Sequence, residues 1–111
     1  MSLKNKLMPM VNALTGITGL KVYHYMRPKL SAPYCIWQED SEYSALLNDN
    51  HKGEQSIAGT IDYYTRVEFD DTIDTIQAEL NKVENLYWEL SSVQFEDDTN
   101  LIHYEWLFRV L

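Results

Sequence analysis

Cysteine is almost missing from this chain. Cys35 is the single one, so no internal disulfide can form, and such usage fits a reducing compartment. Glycine is scarce too, with 4 residues in all. The only close pair, Gly16 and Gly19, comes with neither a P-loop lysine nor a dinucleotide-binding fingerprint, which removes a phosphate cradle. No apolar run approaches the length that a bilayer-spanning helix needs. Lys4 and Lys6 near the start are followed by an apolar segment broken by Pro9 and Asn12, which reads as a helix and not as a secretory signal. Basic residues are outnumbered, 9 Lys and Arg against 17 Asp and Glu, for a formal charge of −8. Phosphate backbones and anionic membrane surfaces are poor partners for such a surface, because both need clustered Lys and Arg.

Chemical motifs are missing as well. His24, His51, His103 and Cys35 include no Cys-x-x-Cys or His-x-x-x-His spacing, so no metal site is expected. The stretch Asn48-Asp49-Asn50-His51-Lys52-Gly53 sets Gly53 where a calcium loop has its sixth residue. It sets Lys52 at the fifth position and Gly59 at the twelfth, where a carboxylate is required, and so calcium of that type fails. No serine sits in a Gly-x-Ser-x-Gly elbow. Cys35 lies among Tyr34, Ile36 and Trp37, an apolar setting that raises a thiol pKa and leaves the group inert. Neither catalytic residues nor cofactor ligands are expected, and the chain reads as a non-enzyme.

What is present is core. Among 111 residues, 45% are hydrophobic and 13% aromatic, enough for a single domain over residues 1–111. Leu3, Leu7, Met10, Val11 and Leu14 recur at helical spacing, with Pro9 expected to kink that helix or confine it to one side, and Gly16 expected as a left-handed cap. Strands are predicted over 21–26, 34–38 and 55–65, the first two separated by an extended loop between Arg27 and Pro33. Gly59 inside the third strand suggests a bend or close packing against a helix. Asp70 and Asp71 offer N-cap chemistry to a second helix whose stripe is Ile73, Ile76, Leu80 and Val83, ending near Asn85. Residues 86–111 then read as a long hairpin. Ile102, Tyr104, Trp106, Phe108 and Val110 recur at every second position with His103, Glu105 and Arg109 between them, and the parity of the partner strand slips across Ser91-Ser92, where a β-bulge is expected. The predicted order is α-β-β-β-α-β-β, an α+β two-layer sandwich in which two helices cover one face of a mostly antiparallel five-stranded sheet.

Charge is segregated along the chain. Residues 1–38 hold five basic side chains and no acid, whereas residues 67–111 hold eleven acids against Lys82 and Arg109. Either the two ends pair within one fold, or the folded molecule has unlike flanks through which copies meet head to tail, a contact that generates a ring when the rotation closes. Tyr23, Tyr25, Tyr34, Trp37, Tyr63, Tyr64, Trp88 and Trp106 fall on alternate strand faces. Some must therefore point away from the helices and either cover the open face or meet a partner.

In local strings the chain resembles the small tail completion, or tail terminator, proteins of siphophages and prophages. The strings are Met8-Pro9-Met10-Val11-Asn12-Ala13-Leu14-Thr15-Gly16, Pro33-Tyr34-Cys35-Ile36-Trp37-Gln38-Glu39-Asp40, Gly59-Thr60-Ile61-Asp62-Tyr63-Tyr64-Thr65 and Thr99-Asn100-Leu101-Ile102-His103-Tyr104-Glu105-Trp106. The resemblance implies a virion structural protein, made in the host cytoplasm, that forms a ring of six copies on the tail tube. Its partners would be itself, the major tail tube protein and the head-neck connector, with DNA passing through an acidic bore. The unpatterned stretch after the second strand, with Glu42, Tyr43, Asn48, Asp49, Asn50, His51 and Lys52, is the expected contact with a neighbouring subunit or the tube. Two other readings stay open: an acidic inhibitor, immunity or DNA-mimic protein that binds a basic partner, and another head-tail joining protein.

Overall fold

The computed structural model describes residues 2–29, 31–42 and 55–111. The elements follow the predicted order: α1 Leu3–Thr15, β1 Val22–His24, β2 Tyr34–Glu42, β3 Ile57–Thr65, α2 Asp71–Leu80, β4 Leu86–Glu96 and β5 Leu101–Val110. The five strands form one sheet in the order β1-β2-β3-β5-β4. All neighbours are antiparallel except β1 and β2, which run parallel, with Tyr23 opposite Ile36. The sheet is therefore mixed, because the extended loop after β1 carries the chain back to start β2 in the same direction.

α1 begins where the Ser2 side chain accepts from the Asn5 amide, and it runs on both sides of Pro9. Helical geometry thus survives the one hydrogen bond that proline removes, and Pro9 does not confine it. Leu7, Met10 and Leu14 are its buried residues. Gly16 caps the helix in right-handed conformation, contrary to the expected left-handed cap. The positive φ falls instead on Gly19, at 81°. α2 is shorter than its apolar stripe suggests. It stops at Leu80, and Val83 lies in the turn that follows.

One face of the sheet carries the main core. Leu7, Met10, Leu14, Ile76 and Leu80 from the helices meet Cys35, Trp37, Ile57, Ile61, Tyr63, Trp106, Phe108 and Val110 from the strands. Each fully buried Leu or Ile there contributes about 2 kcal/mol by leaving water. Two of the three indoles are hydrogen-bonded to side chains, the polar handle of a packed tryptophan: the buried Trp106 Nε1 donates to Gln77 Oε1 at 3.0 Å and the half-buried Trp88 Nε1 to Asn81 Oδ1 at 3.1 Å. Both bonds tie α2 to the hairpin. In β4 the register shifts between Leu90 and Ser92, the bulge expected from the parity slip, and the hairpin closes through Asn100 in left-handed conformation.

Asp70 joins β3 to α2. One carboxylate oxygen accepts from the Thr72 amide at 2.9 Å, and the other accepts from Tyr63 Oη and Thr65 Oγ1, both at 2.7 Å. Burial alone would raise this carboxyl's pKa, but the hydrogen bonds outweigh it and hold the group below the usual Asp range. Asp70→Ala removes the cap, worth about 1 kcal/mol. It also orphans two hydroxyls at the sheet end, at about 1–3 kcal/mol more. A loss near 3 kcal/mol is expected in urea unfolding. The folded pKa lies below the unfolded one, so this contribution is complete above about pH 4 and is lost as pH falls through the lower folded value. The acid limb of the stability curve should therefore flatten in Asp70→Asn.

Candidate functional site

The face of the sheet away from the helices is the one with chemistry on it. Strand alternation sends Ile36, Asp62, Glu105 and Ser92 to this face in one cross-strand row, and Tyr34, Tyr64, His103 and Gln94 in the next. Tyr34 stacks on Tyr64 at 5.0 Å between ring centroids, and Tyr64 stacks on His103 at 4.2 Å, inclined by 15°. A second small core forms here. Tyr34, Ile36, Tyr64 and Leu101 are buried, with Tyr23 and Ala32 packed against them. The aromatics expected to point away from the helices thus cover part of the open face themselves, beneath the segment between β1 and β2.

Arg27, from that segment, holds its guanidinium 4.9 Å from the centre of the Tyr64 ring. A hydrogen bond to Tyr64 raises the Arg27 pKa further, and the Glu96 charge adds to the shift. The Tyr64 phenol is pushed up by burial, which its bond to Arg27 offsets only in part. One basic side chain of the N-terminal half therefore does face the acidic half inside the molecule.

His103 is the polar centre of the face. Its Nε2 lies 2.7 Å from Asp62 Oδ1, and its Nδ1 lies 3.8 Å from Glu96 Oε2. Glu105, the register partner of Asp62, completes a group in which one ligand atom from each of Asp62, His103 and Glu105 lies within 4.8 Å of the others. A His–carboxylate pair is also the orienting half of a catalytic dyad. Here both ring nitrogens face carboxylates, which leaves neither aimed at a nucleophile. Further along the same face, Ala58, Tyr87, Glu89, Leu107 and Arg109 line a shallow depression of about 400 Å³, in which Tyr87 and Leu107 are exposed.

The other histidine on a described strand sits at the opposite edge. His24 is stacked on Trp37 at 3.7 Å and bonded to Glu39 at 2.6 Å. Glu39 is held below the usual range because the His24 bond and its other hydrogen bonds outweigh the effect of burial. Cys35 is fully buried. Its thiol is pushed up to about 12 by burial, with Asp62 adding to the effect, as befits an inert core cysteine.

Of the expected contact residues, Glu42 is the last residue of β2, half-buried and opposite Ile57. Tyr43, Asn48, Asp49, Asn50, His51 and Lys52 lie outside the described residues. β2 itself extends four residues beyond the predicted end at Gln38, through a register shift between Glu39 and Ser41. The cluster around His103 has no counterpart in sequence spacing, since Asp62 is 41 residues away. Strand parity does assign all three side chains to polar strand faces. Only the β3–β5 register brings them together.

Apolar side chains are also exposed on β4. Leu90, Val93 and Phe95 point to the helix side of the sheet and are 43%, 51% and 59% exposed. They lie on the outermost strand, beside a backbone edge with no further strand of the sheet among the described residues. Among the described residues, no helix is long and apolar enough to cross a membrane. Compared with the models of known protein families and with curated proteins, the sequence matches none.

Proposed function

We propose that the chain is a phage or prophage virion structural protein, a tail terminator whose copies close as a ring on the tail tube and meet the head-neck connector on the other side. The observation that carries this reading is the sheet order. β1, followed in the chain by Arg27 and Lys29, lies at one edge, and β4, whose charges are Glu89 and Glu96, lies at the other, while β2 inside the first edge carries Glu39, Asp40 and Glu42. The difference between flanks that the reading needs therefore rests on β1 with the basic segment after it, set against the acidic hairpin end of β4. A molecule with unlike flanks associates head to tail, and such a contact makes a closed ring at the right rotation angle.

The β4 edge supports the same reading. An eleven-residue outer strand with exposed Leu90, Val93 and Phe95 is a pairing and aggregation hazard unless something covers it. A neighbouring copy would cover it, and the acidic hairpin end at Glu96, Asp97 and Asp98 would select the basic flank of that copy. An acidic bore would let DNA pass without sticking.

Purified protein at high concentration, or mixed with tail tubes, is expected to give rings in electron microscopy and a matching mass in light scattering. Val93→Lys with Phe95→Asp should abolish the rings while leaving Tm within about 2 °C, because exposed substitutions cost little in the monomer. Raised salt should weaken assembly. Tails of normal length and normal ends from a phage that lacks the gene would overturn the terminator role.

A further inference from the structure

We propose that Asp62, His103 and Glu105 form a binding site for a divalent transition-metal ion, zinc foremost, on the open face of the sheet. The site is independent of the ring reading.

The first ground is geometric. Asp62 and Glu105 are direct register partners on adjacent antiparallel strands, and His103 stands two residues from Glu105 on the same face, so all three project from the middle of a sheet and not from loops. Their donor atoms lie within 4.8 Å of one another. A tetrahedral zinc with bonds of about 2.0–2.2 Å holds its donors roughly 3.4 Å apart, so the His103–Asp62 contact of 2.7 Å must open slightly and the wider separations close, adjustments that carboxylate side-chain rotation supplies.

The second ground is charge. Like charges directly opposite on paired strands repel, yet here two carboxylates face each other with both half-buried, and Glu96 brings a third toward the same imidazole. Arg27, the nearby base, has its guanidinium over the Tyr64 ring. A divalent ion between Asp62 and Glu105 neutralises both carboxylates.

The third ground is the support of the histidine. Stacking on Tyr64, itself stacked on Tyr34, sets the plane of the imidazole. With Nε2 turned to the metal, Nδ1 is left facing Glu96 at 3.8 Å, a short side-chain rotation away from the carboxylate–histidine–metal arrangement in which an outer carboxylate orients the ring and strengthens the ligand. One nitrogen and two carboxylate oxygens suit zinc and its neighbours. Magnesium and calcium prefer all-oxygen shells of six or more ligands. Three protein ligands leave a fourth position for water.

The test is titration of the full chain, stripped with EDTA and free of any affinity tag, with zinc chloride in a calorimeter and in thermal melts. Wild type is expected to bind one zinc per chain and to gain Tm as zinc is added, while magnesium chloride gives neither effect. Asp62→Asn and His103→Gln should each weaken binding by about tenfold or more, and His24→Ala should bind as wild type does. Cobalt supplies a second readout. An intense visible band of tetrahedral cobalt in wild type, absent in Asp62→Asn, supports the site even if the His103 variant does not fold. No saturable binding in wild type, or zinc binding unchanged by Asp62→Asn, overturns it.

Discussion

Ile76→Asp should abolish the fold. Ile76 is fully buried in α2, within the cluster where both helices meet β3 and β5. Losing an isoleucine from such a site costs about 2–5 kcal/mol, because the transfer energy is forfeited and the neighbours close only part of the gap. A carboxylate in its place must stay ionised without a partner or take up a proton, and either route costs several kcal/mol more. A domain of this size has about 5–15 kcal/mol in total, so the two costs together remove most or all of it. Soluble protein with a cooperative thermal transition should be missing for Ile76→Asp. Ile76→Val, about 1 kcal/mol worse than wild type, should still melt cooperatively a few degrees lower. A normal melt for the Asp variant would mean that this stripe of α2 does not face the sheet.

The stripe was readable because helical spacing and strand alternation are local signals, and the core obeys them. Ile76 and Leu80 recur at four residues, and Trp106, Phe108 and Val110 at two, and all five are buried. The bulge in β4 was legible for the same reason: a parity slip across Ser91-Ser92 has no other local resolution. The places where sequence reasoning fell short all depend on what lies across from a residue. Gly16 looked like the left-handed cap, but the turn puts positive φ three residues later, at Gly19. Nothing in the residues 21–38 indicates that β1 runs parallel to β2, because direction is decided by the path of the loop between them.

The polar group around His103 fails legibility in the same manner. His103 and Glu105 share parity on β5, and Asp62 falls on the polar face of β3, so the sequence assigns each to the right kind of face. It does not say that β3 lies beside β5 with Asp62 opposite Glu105. A one-residue shift in that register would scatter the three across both faces. Metal-ligand motifs are recognisable when both ligands sit on one element, and a cross-strand site has no such spacing to read. The exposed side chains of β4 are the converse. Val93 and Phe95 fit the alternation of a buried face, yet they sit on the outermost strand and stay more than half exposed.

Gly59→Ala is the second substitution expected to act strongly, through space and not through backbone conformation. A Cβ built at Gly59 would lie 2.0 Å from the Gln38 carbonyl oxygen, 2.8 Å from Glu39 Cα and 2.8 Å from Phe108 Cε2. The glycine therefore admits the backbone of β2 at its register shift, and the close packing is against a neighbouring strand and a Phe108 ring, not against a helix. Relief requires β2 and β3 to separate, with loss of ladder hydrogen bonds, so the cost should reach or exceed the usual 1–3 kcal/mol of an overpacked core. The smaller entropy of an unfolded alanine returns only about 0.4–1 kcal/mol. Tm should fall by roughly 10 °C or more. Phe108→Leu should not rescue it, because the nearest clash is with a carbonyl that cannot swing aside. Gly19→Ala supplies the contrast: nothing lies within 4 Å of its Cβ position and φ is +81°, so only left-handed strain remains, at about 1–2 kcal/mol. Equal losses at the two glycines would mean that β2 does not approach β3 as closely as this at its bulge.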